Sequence, residues 1–140
     1  MVLLVGGLSP EELVALQWDD VDLAARQIRA PGDSPRTIDL FEPAPTLLAR
    51  LPQAAGNRVL QAHGNGPITL ERLTSDLLYA AHDAGIDHPA EVTPAALRHT
   101  YVAFLARQGI RLADLVTLVG RLSPDQAAAY SALSPPGKRL

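Results

Sequence analysis

The chain has 140 residues, enough for one domain with its own core, and 47% of them are apolar. It contains no cysteine, which excludes disulfides and thiolate metal sites, and it has no apolar run near the roughly 18 residues that span a bilayer. The net charge of −3 disfavours a DNA-binding protein, because Lys and Arg contacts to phosphate dominate such affinity. We expect a soluble, cytoplasmic protein with no membrane association.

The first predicted helix starts at Ser9. This residue can cap the helix, Pro10 suits the first helical position, and Glu12 completes a capping box three residues after the cap. Leu13 and the residues that follow supply an apolar stripe. We expect the helix to end at Asp19-Asp20.

Two short strands are predicted next, over Gln27–Ala30 and Arg36–Leu40. The residues between them, Pro31-Gly32-Asp33-Ser34-Pro35, favour a turn, so the segment predicts a β-hairpin. A short helix over residues 43–51 and a loop over residues 52–66 are expected to follow.

Four further helices are predicted, over residues 69–84, 93–108, 111–119 and 123–133. Three of them begin at a capping residue, namely Thr69, Thr93 or Ser123, and glycines stop the first three. The fold class is therefore mainly α with a small β-hairpin or sheet (α+β). Residues 1–134 are expected to form a single domain, and residues 135–140, which begin Pro135-Pro136, a flexible tail.

Two blocks of sequence stand out by their order and spacing. The first begins Gly7-Leu8-Ser9, continues through Glu12-Leu13, and ends in the stretch Trp18-Asp19-Asp20-Val21-Asp22. The second is Leu97-Arg98-His99-Thr100, which is followed by Gly120-Arg121 and, nine residues later, by Tyr130.

Together these blocks resemble the catalytic domain of the tyrosine recombinases, or phage integrases, over roughly residues 6–133. The resemblance implies the fold of the DNA breaking-rejoining enzymes. In that family a Tyr attacks a DNA phosphodiester, two Arg clamp the phosphate, a hairpin Lys protonates the leaving oxygen, and His or Trp side chains assist. By this resemblance Tyr130 holds the nucleophile position and Arg98 the second clamp position. The DNA-binding candidates are Arg98, His99 and Arg121.

The same resemblance shows where the chain departs from the family. The first clamp Arg falls at Ser9, the hairpin Lys at or beside Asp33, the preceding His at Ala95, and the later His or Trp at Arg121. Removing one preorganised donor costs about two to three orders of magnitude in rate. We therefore expect a degenerate, catalytically inactive domain.

Several of these residues can have a structural role instead of a functional role. Ser9 is favoured as a helix cap, Tyr130 as a half-buried core residue, and His99 as a hydrogen-bonding structural residue. Arg98 can either bind an anion or pair with a buried carboxylate such as Glu12. The other histidines lack ligand spacing, so we expect no metal and no cofactor.

Three functions remain open. The first is a structural or interaction module, the second is a DNA-binding module that does not cut, and the third is an active strand-transfer integrase with a phosphotyrosyl intermediate. Duplex DNA, a protein partner, or a missing N-terminal domain are the candidate partners, because the chain begins inside what the resemblance makes the first catalytic-domain helix. A monomer is expected. Phosphate binding requires Ser9, Asp33, Arg98, Arg121 and Tyr130 to line one open, positively charged concavity.

Overall fold

The computed structural model describes residues 1, 3–4, 6–53, 56–62 and 66–136. Its helices and strands follow the predicted order. The helices are α1 (Pro10–Ala15), α2 (Ala44–Ala49), α3 (Leu70–Asp83), α4 (Pro94–Arg107), α5 (Leu112–Val119) and α6 (Pro124–Leu133), and the strands are β1 (Val21–Asp22), β2 (Gln27–Arg29) and β3 (Thr37–Asp39). None of the helices in this part of the chain is long and apolar enough to cross a membrane.

Helix α1 starts as predicted but ends early. The hydroxyl of Ser9 accepts a hydrogen bond from the Glu12 N–H at 3.1 Å, and the Ser9 N–H donates to Glu12 Oε2 at 2.7 Å, which confirms the capping box. The predicted end at Asp19-Asp20 was wrong, because the backbone after Ala15 pairs with a distant segment. The N–H of Trp18 donates to the Asn57 carbonyl at 2.7 Å, and a short 3₁₀ turn follows.

The predicted hairpin is present and gains a third strand. Strands β2 and β3 pair antiparallel with Ile28 opposite Ile38, and both side chains are buried. The N–H of Ala30 donates to the Arg36 carbonyl at 2.8 Å and closes the pair. Strand β1, which was not predicted, pairs antiparallel with β2 and is only two residues long.

The core has two adjoining parts. The first part gathers α1, the sheet, α2 and α3, with Leu4, Leu8, Leu13, Leu16 and Ile28 almost fully buried. The second part gathers α4, α5 and α6, around Val102, Leu115, Val119 and Tyr130. Helix α4 contacts α1 and α3 on one side and α5 and α6 on the other. Residues at the start of α4 therefore lie where the two parts meet.

The remaining predicted helices begin at their predicted caps. The hydroxyls of Thr69, Thr93 and Ser123 accept hydrogen bonds from backbone N–H groups three residues later. Of the tail predicted for residues 135–140, residues 137–140 lie outside the described part of the chain. The monomeric state and the cytoplasmic location stay predictions.

Candidate active site

An open concavity of about 430 Å³ lies where the start of α1, the hairpin turn, α4 and the end of α5 meet. Its charged lining consists of Glu11, Glu12, Asp33, Arg98 and Arg121, and Ser9 also lines it. The structure therefore brings together four of the five side chains singled out in the sequence. Tyr130 is not among the lining residues.

Arg98 reaches this concavity from the second turn of α4. Its Nη2 donates to the Val119 carbonyl at 2.6 Å, and its buried Nε has no hydrogen-bond partner among the described residues. Burial lowers the pKa of Arg98, while the nearby carboxylate of Glu12 raises it. The guanidinium is still charged at neutral pH, because an Arg does not deprotonate in proteins. The lowered pKa reports what it costs to desolvate that charge.

The suggested pairing of Arg98 with Glu12 was wrong, because Arg36 holds that carboxylate. Arg36 Nη1 donates to Glu12 Oε1 at 2.6 Å, and its Nη2 donates to Glu12 Oε2 at 2.9 Å. The same guanidinium donates to the carbonyls of Gly7 at 2.8 Å, Leu118 at 3.0 Å and Ser34 at 3.1 Å. Only 8% of the Arg36 side chain is exposed. It joins the hairpin, the start of α1 and the end of α5.

Sequence reasoning missed Arg36 altogether. The residue lies 24 positions from Glu12, at the end of the hairpin turn, and no periodicity connects the two. The one available signal was the carboxylate of Glu12, because the capping box uses only one of its two oxygens. This signal does not indicate which arginine pairs with the other oxygen.

The charge in the concavity is close to balanced. Since Arg36 neutralises Glu12, the remaining charges are the carboxylates of Glu11 and Asp33 against the guanidinium groups of Arg98 and Arg121. Asp33 is exposed in the hairpin turn, at or beside the place where the resemblance puts a Lys. The lining lacks the positive excess that would attract a phosphate group.

Tyr130 lies in the core beside this concavity. The residue is only 5% exposed, where a half-buried position was expected. Its hydroxyl lies 2.8 Å from Nδ1 of His99, and the two ring centroids are 5.3 Å apart with the planes inclined by 32°. Burial raises the pKa of Tyr130, and the charge of Arg98 partly opposes this. A raised pKa leaves less phenolate at neutral pH, which is the opposite of nucleophile activation.

The other residues considered for a site do not converge. Arg111, at the start of α5, pairs with Asp114 at 2.7 Å on the surface of the protein. Among residues 1, 3–4, 6–53, 56–62 and 66–136, no three His, Asp or Glu side chains are grouped as metal ligands would be. His63 lies outside the described residues.

Known proteins resemble this chain in sequence. No protein-family model matches it. Tyrosine recombinase XerD of Listeria monocytogenes serotype 4b (strain F2365) is 29% identical over an alignment of 143 positions, which includes 93% of this chain and 47% of the relative. Tyrosine recombinase XerC of Herpetosiphon aurantiacus is 28% identical over an alignment of 144 positions, which includes 95% of this chain and 46% of the relative. The chain therefore spans about half the length of the curated relatives it matches.

Solved structures share the fold. The crystal structure of XerA recombinase superposes with a TM-score of 0.78 at 22% identity, covering 99% of this chain and 51% of that one. The Tn1549 transposon integrase in complex with a circular intermediate DNA gives a TM-score of 0.75 at 21% identity, covering 92% and 52%. These neighbours confirm the predicted fold class, that of a recombinase catalytic domain. Together with the curated relatives they show that the chain is similar in sequence and in fold to the catalytic domains of tyrosine recombinases.

Proposed function

We propose that this chain is a recombinase-like domain that does not cleave DNA and acts as a structural or interaction module. The observation that carries the proposal is the chemistry of the concavity around Arg98. The positions where the resemblance expects Arg, Lys and His hold Ser9, an acidic hairpin turn at Asp33, and Ala95.

Phosphodiester cleavage places extra negative charge on the phosphorus centre in the transition state. Fixed cationic donors must meet that charge, and each one removed costs about two to three orders of magnitude in rate. Arg98 and Arg121 are the two cations among the described residues that line the concavity, and carboxylates face them. Losses within one catalytic unit do not simply add, but a site that lacks three donors supports little chemistry.

The position of Tyr130 supports the same proposal. A tyrosine nucleophile must reach the phosphorus and must lose its proton. Here the ring is buried among Val102, Ala106 and Leu115, and the hydroxyl contacts His99. Burial of the side chain opposes the first requirement, and the raised pKa of Tyr130 that burial causes opposes the second.

We predict that the purified chain forms no covalent adduct with DNA. A pool of random-sequence duplexes avoids the need to know a target site, and a denaturing gel detects any protein retained on labelled DNA. The wild type, Tyr130→Phe and the matched surface variant Tyr79→Phe should behave alike. A band that is present in the wild type and Tyr79→Phe but missing in Tyr130→Phe would show that the domain is a working nuclease-ligase.

An apolar groove supports the role as an interaction module. It has a volume of about 420 Å³ and lies between the end of the hairpin, the amino-terminal segment and α5. Leu8, Ile38, Phe41, Tyr101 and Leu118 line it, and Phe41 is 77% exposed. Exposed apolar area of this kind provides contact energy for a partner when it is covered.

DNA binding without cleavage is the second candidate, favoured by one observation. Arg98 and Arg121 line the same concavity, and an Arg fork suits phosphate oxygens. Among the solved neighbours, the XerH site-specific recombinase is bound to a palindromic difH substrate. A DNA contact in this chain would be made by Arg98 and Arg121.

Under this second function we predict weak, salt-sensitive binding of duplex DNA. Two phosphate contacts give a slope of about −2 for the logarithm of affinity against the logarithm of salt concentration. Fluorescence anisotropy measured from low to physiological salt would give that slope. Arg98→Ala with Arg121→Ala should abolish binding, whereas Arg107→Ala, an exposed arginine at the far end of α4, should not. No affinity even at about 0.01 M salt, where screening is least, would remove this candidate.

A further inference from the structure

We propose that His99 is a positioning residue that keeps Tyr130 docked against α4 as a neutral phenol, with its hydroxyl outside the concavity of Arg98. The proposal rests on the proposed function and explains how the retained tyrosine is held away from the lining of the concavity. His99 on α4 and Tyr130 on α6 make this contact, and they are 31 positions apart in the sequence.

The geometry makes this contact specific. The hydroxyl of Tyr130 lies 2.8 Å from Nδ1 of His99, which is a short, well-formed hydrogen bond. The two rings are close enough to pack, with centroids 5.3 Å apart. Tyr130 is 5% exposed, whereas Tyr79 on α3 is 69% exposed. One side of the Tyr130 ring is therefore held by apolar packing, and its polar end is held by His99.

The tautomer of His99 decides the direction of this hydrogen bond, and the proposal includes one assignment. The phenol O–H donates, and Nδ1 of a neutral imidazole accepts, with the imidazole proton on Nε2. His99 is exposed on α4, so that its Nε2–H can face water. A hydrogen bond to the neutral form of an acid disfavours its ionisation. Burial of the ring acts in the same direction and raises the pKa of Tyr130.

The charge of Arg98 does not cancel the rise in the pKa of Tyr130. Arg98 is the one group whose charge lowers the pKa of Tyr130, but its Nη2 is bonded to the Val119 carbonyl and not to the phenol. Tyr130 is not among the residues that line the concavity, so its hydroxyl enters the concavity only through a shift of the side chain or of α6 relative to α4. Such a shift breaks the bond to His99 and exposes an aromatic ring, so the docked position is favoured.

The test is the chemical reactivity of the three tyrosines in the full chain. N-acetylimidazole acetylates tyrosine hydroxyls that are exposed and able to ionise, and mass spectrometry of peptides reports each residue separately. In the wild type, Tyr79 should react readily and Tyr130 should be protected relative to it. His99→Ala should raise the Tyr130 rate about fivefold, the factor for losing a hydrogen bond of ordinary net strength. Tyr79 should be unchanged.

His99→Asn is the conservative control. An asparagine amide oxygen lies near the position of Nδ1 and can accept the phenol O–H, so His99→Asn should retain most of the protection. A spectrophotometric titration supplies a second readout, in which the difference between each variant and its Tyr130→Phe counterpart isolates the phenolate of Tyr130. That phenolate should form at lower pH in His99→Ala than in the wild type.

Three results would overturn the proposal: acetylation of wild-type Tyr130 at the rate of Tyr79, unchanged protection in His99→Ala, or equal loss of protection in His99→Ala and His99→Asn. Circular dichroism confirms that each variant is folded before the reaction. The assay contains no DNA. Its failure is therefore distinct from failure of the proposed function, which only a covalent DNA adduct would reveal.

Discussion

Replacing Arg36 by methionine is expected to lower the free energy of unfolding by about 3–5 kcal/mol, because it leaves the carboxylate of Glu12 poorly solvated and unpaired. Arg36 and Glu12 side chains are 8% and 14% exposed, and two short hydrogen bonds join them. The three carbonyls that Arg36 satisfies would also lose a donor. A natural domain is stable by only about 5–15 kcal/mol, so the loss is a large fraction. Urea denaturation followed by the fluorescence of Trp18, the single tryptophan, measures it.

Arg111→Met is the matched control for this experiment. Arg111 also pairs with a carboxylate at 2.7 Å, that of Asp114, but the two side chains are 64% and 50% exposed. Water and ions screen such a pair, and its loss costs about 0–1 kcal/mol. Equal destabilisation by Arg36→Met and Arg111→Met would show that the buried network does not stabilise the fold. Glu12→Gln combined with Arg36→Met should cost less than the sum of the two, since both remove one interaction.

The elements that could be predicted from sequence are those with local signals. The caps at Ser9, Thr93 and Ser123 each act on a backbone N–H three residues away, so a short window of sequence contains the whole interaction. The hairpin likewise follows from turn-forming residues between two short segments in which polar and apolar residues alternate. These features depend on neighbouring residues, and they were found in the predicted order.

The features that could not be predicted depend on distant partners. Helix α1 stops early because the N–H of Val59 donates to the Leu16 carbonyl at 3.0 Å, a pairing across 43 positions. Strand β1 has two residues and no hydrophobic alternation to reveal it. In each case tertiary contacts override the local preference.

The candidate site divides in the same way. The resemblance to a known family assigned Ser9, Asp33, Arg98, Arg121 and Tyr130 to site positions, and their convergence was set as the condition for phosphate binding. The first four of these residues line one concavity. Spacing alone could not show that Tyr130 is not among the lining residues or that Glu12 pairs with Arg36. Both outcomes are decided by side-chain packing between elements, which a spacing of residues along the chain does not encode.

Replacing Gly120 by alanine is expected to destabilise the domain by about 3 kcal/mol. Its backbone has φ of 81° and ψ of −163°, a region that only glycine adopts readily and that costs other residues about 1–3 kcal/mol. An added Cβ would also lie 2.7 Å from Nη1 and 3.0 Å from Cζ of Arg36. This guanidinium cannot give way without lengthening its hydrogen bonds to Glu12 and to the carbonyls. Urea denaturation again supplies the measurement.

Two other glycines separate the backbone cost from the collision with Arg36. Gly32 and Gly85 have φ of +92° and +67°, and an added Cβ meets nothing within 4 Å at either position. Gly32→Ala and Gly85→Ala should therefore cost only the backbone strain, about 1–2 kcal/mol. If Gly120→Ala is no worse than these two, the guanidinium moves freely and does not fix the end of α5. A larger loss at Gly120 alone would mean that the turn before Arg121 and the ion pair of Arg36 form one rigid unit, which sets the shape of the concavity.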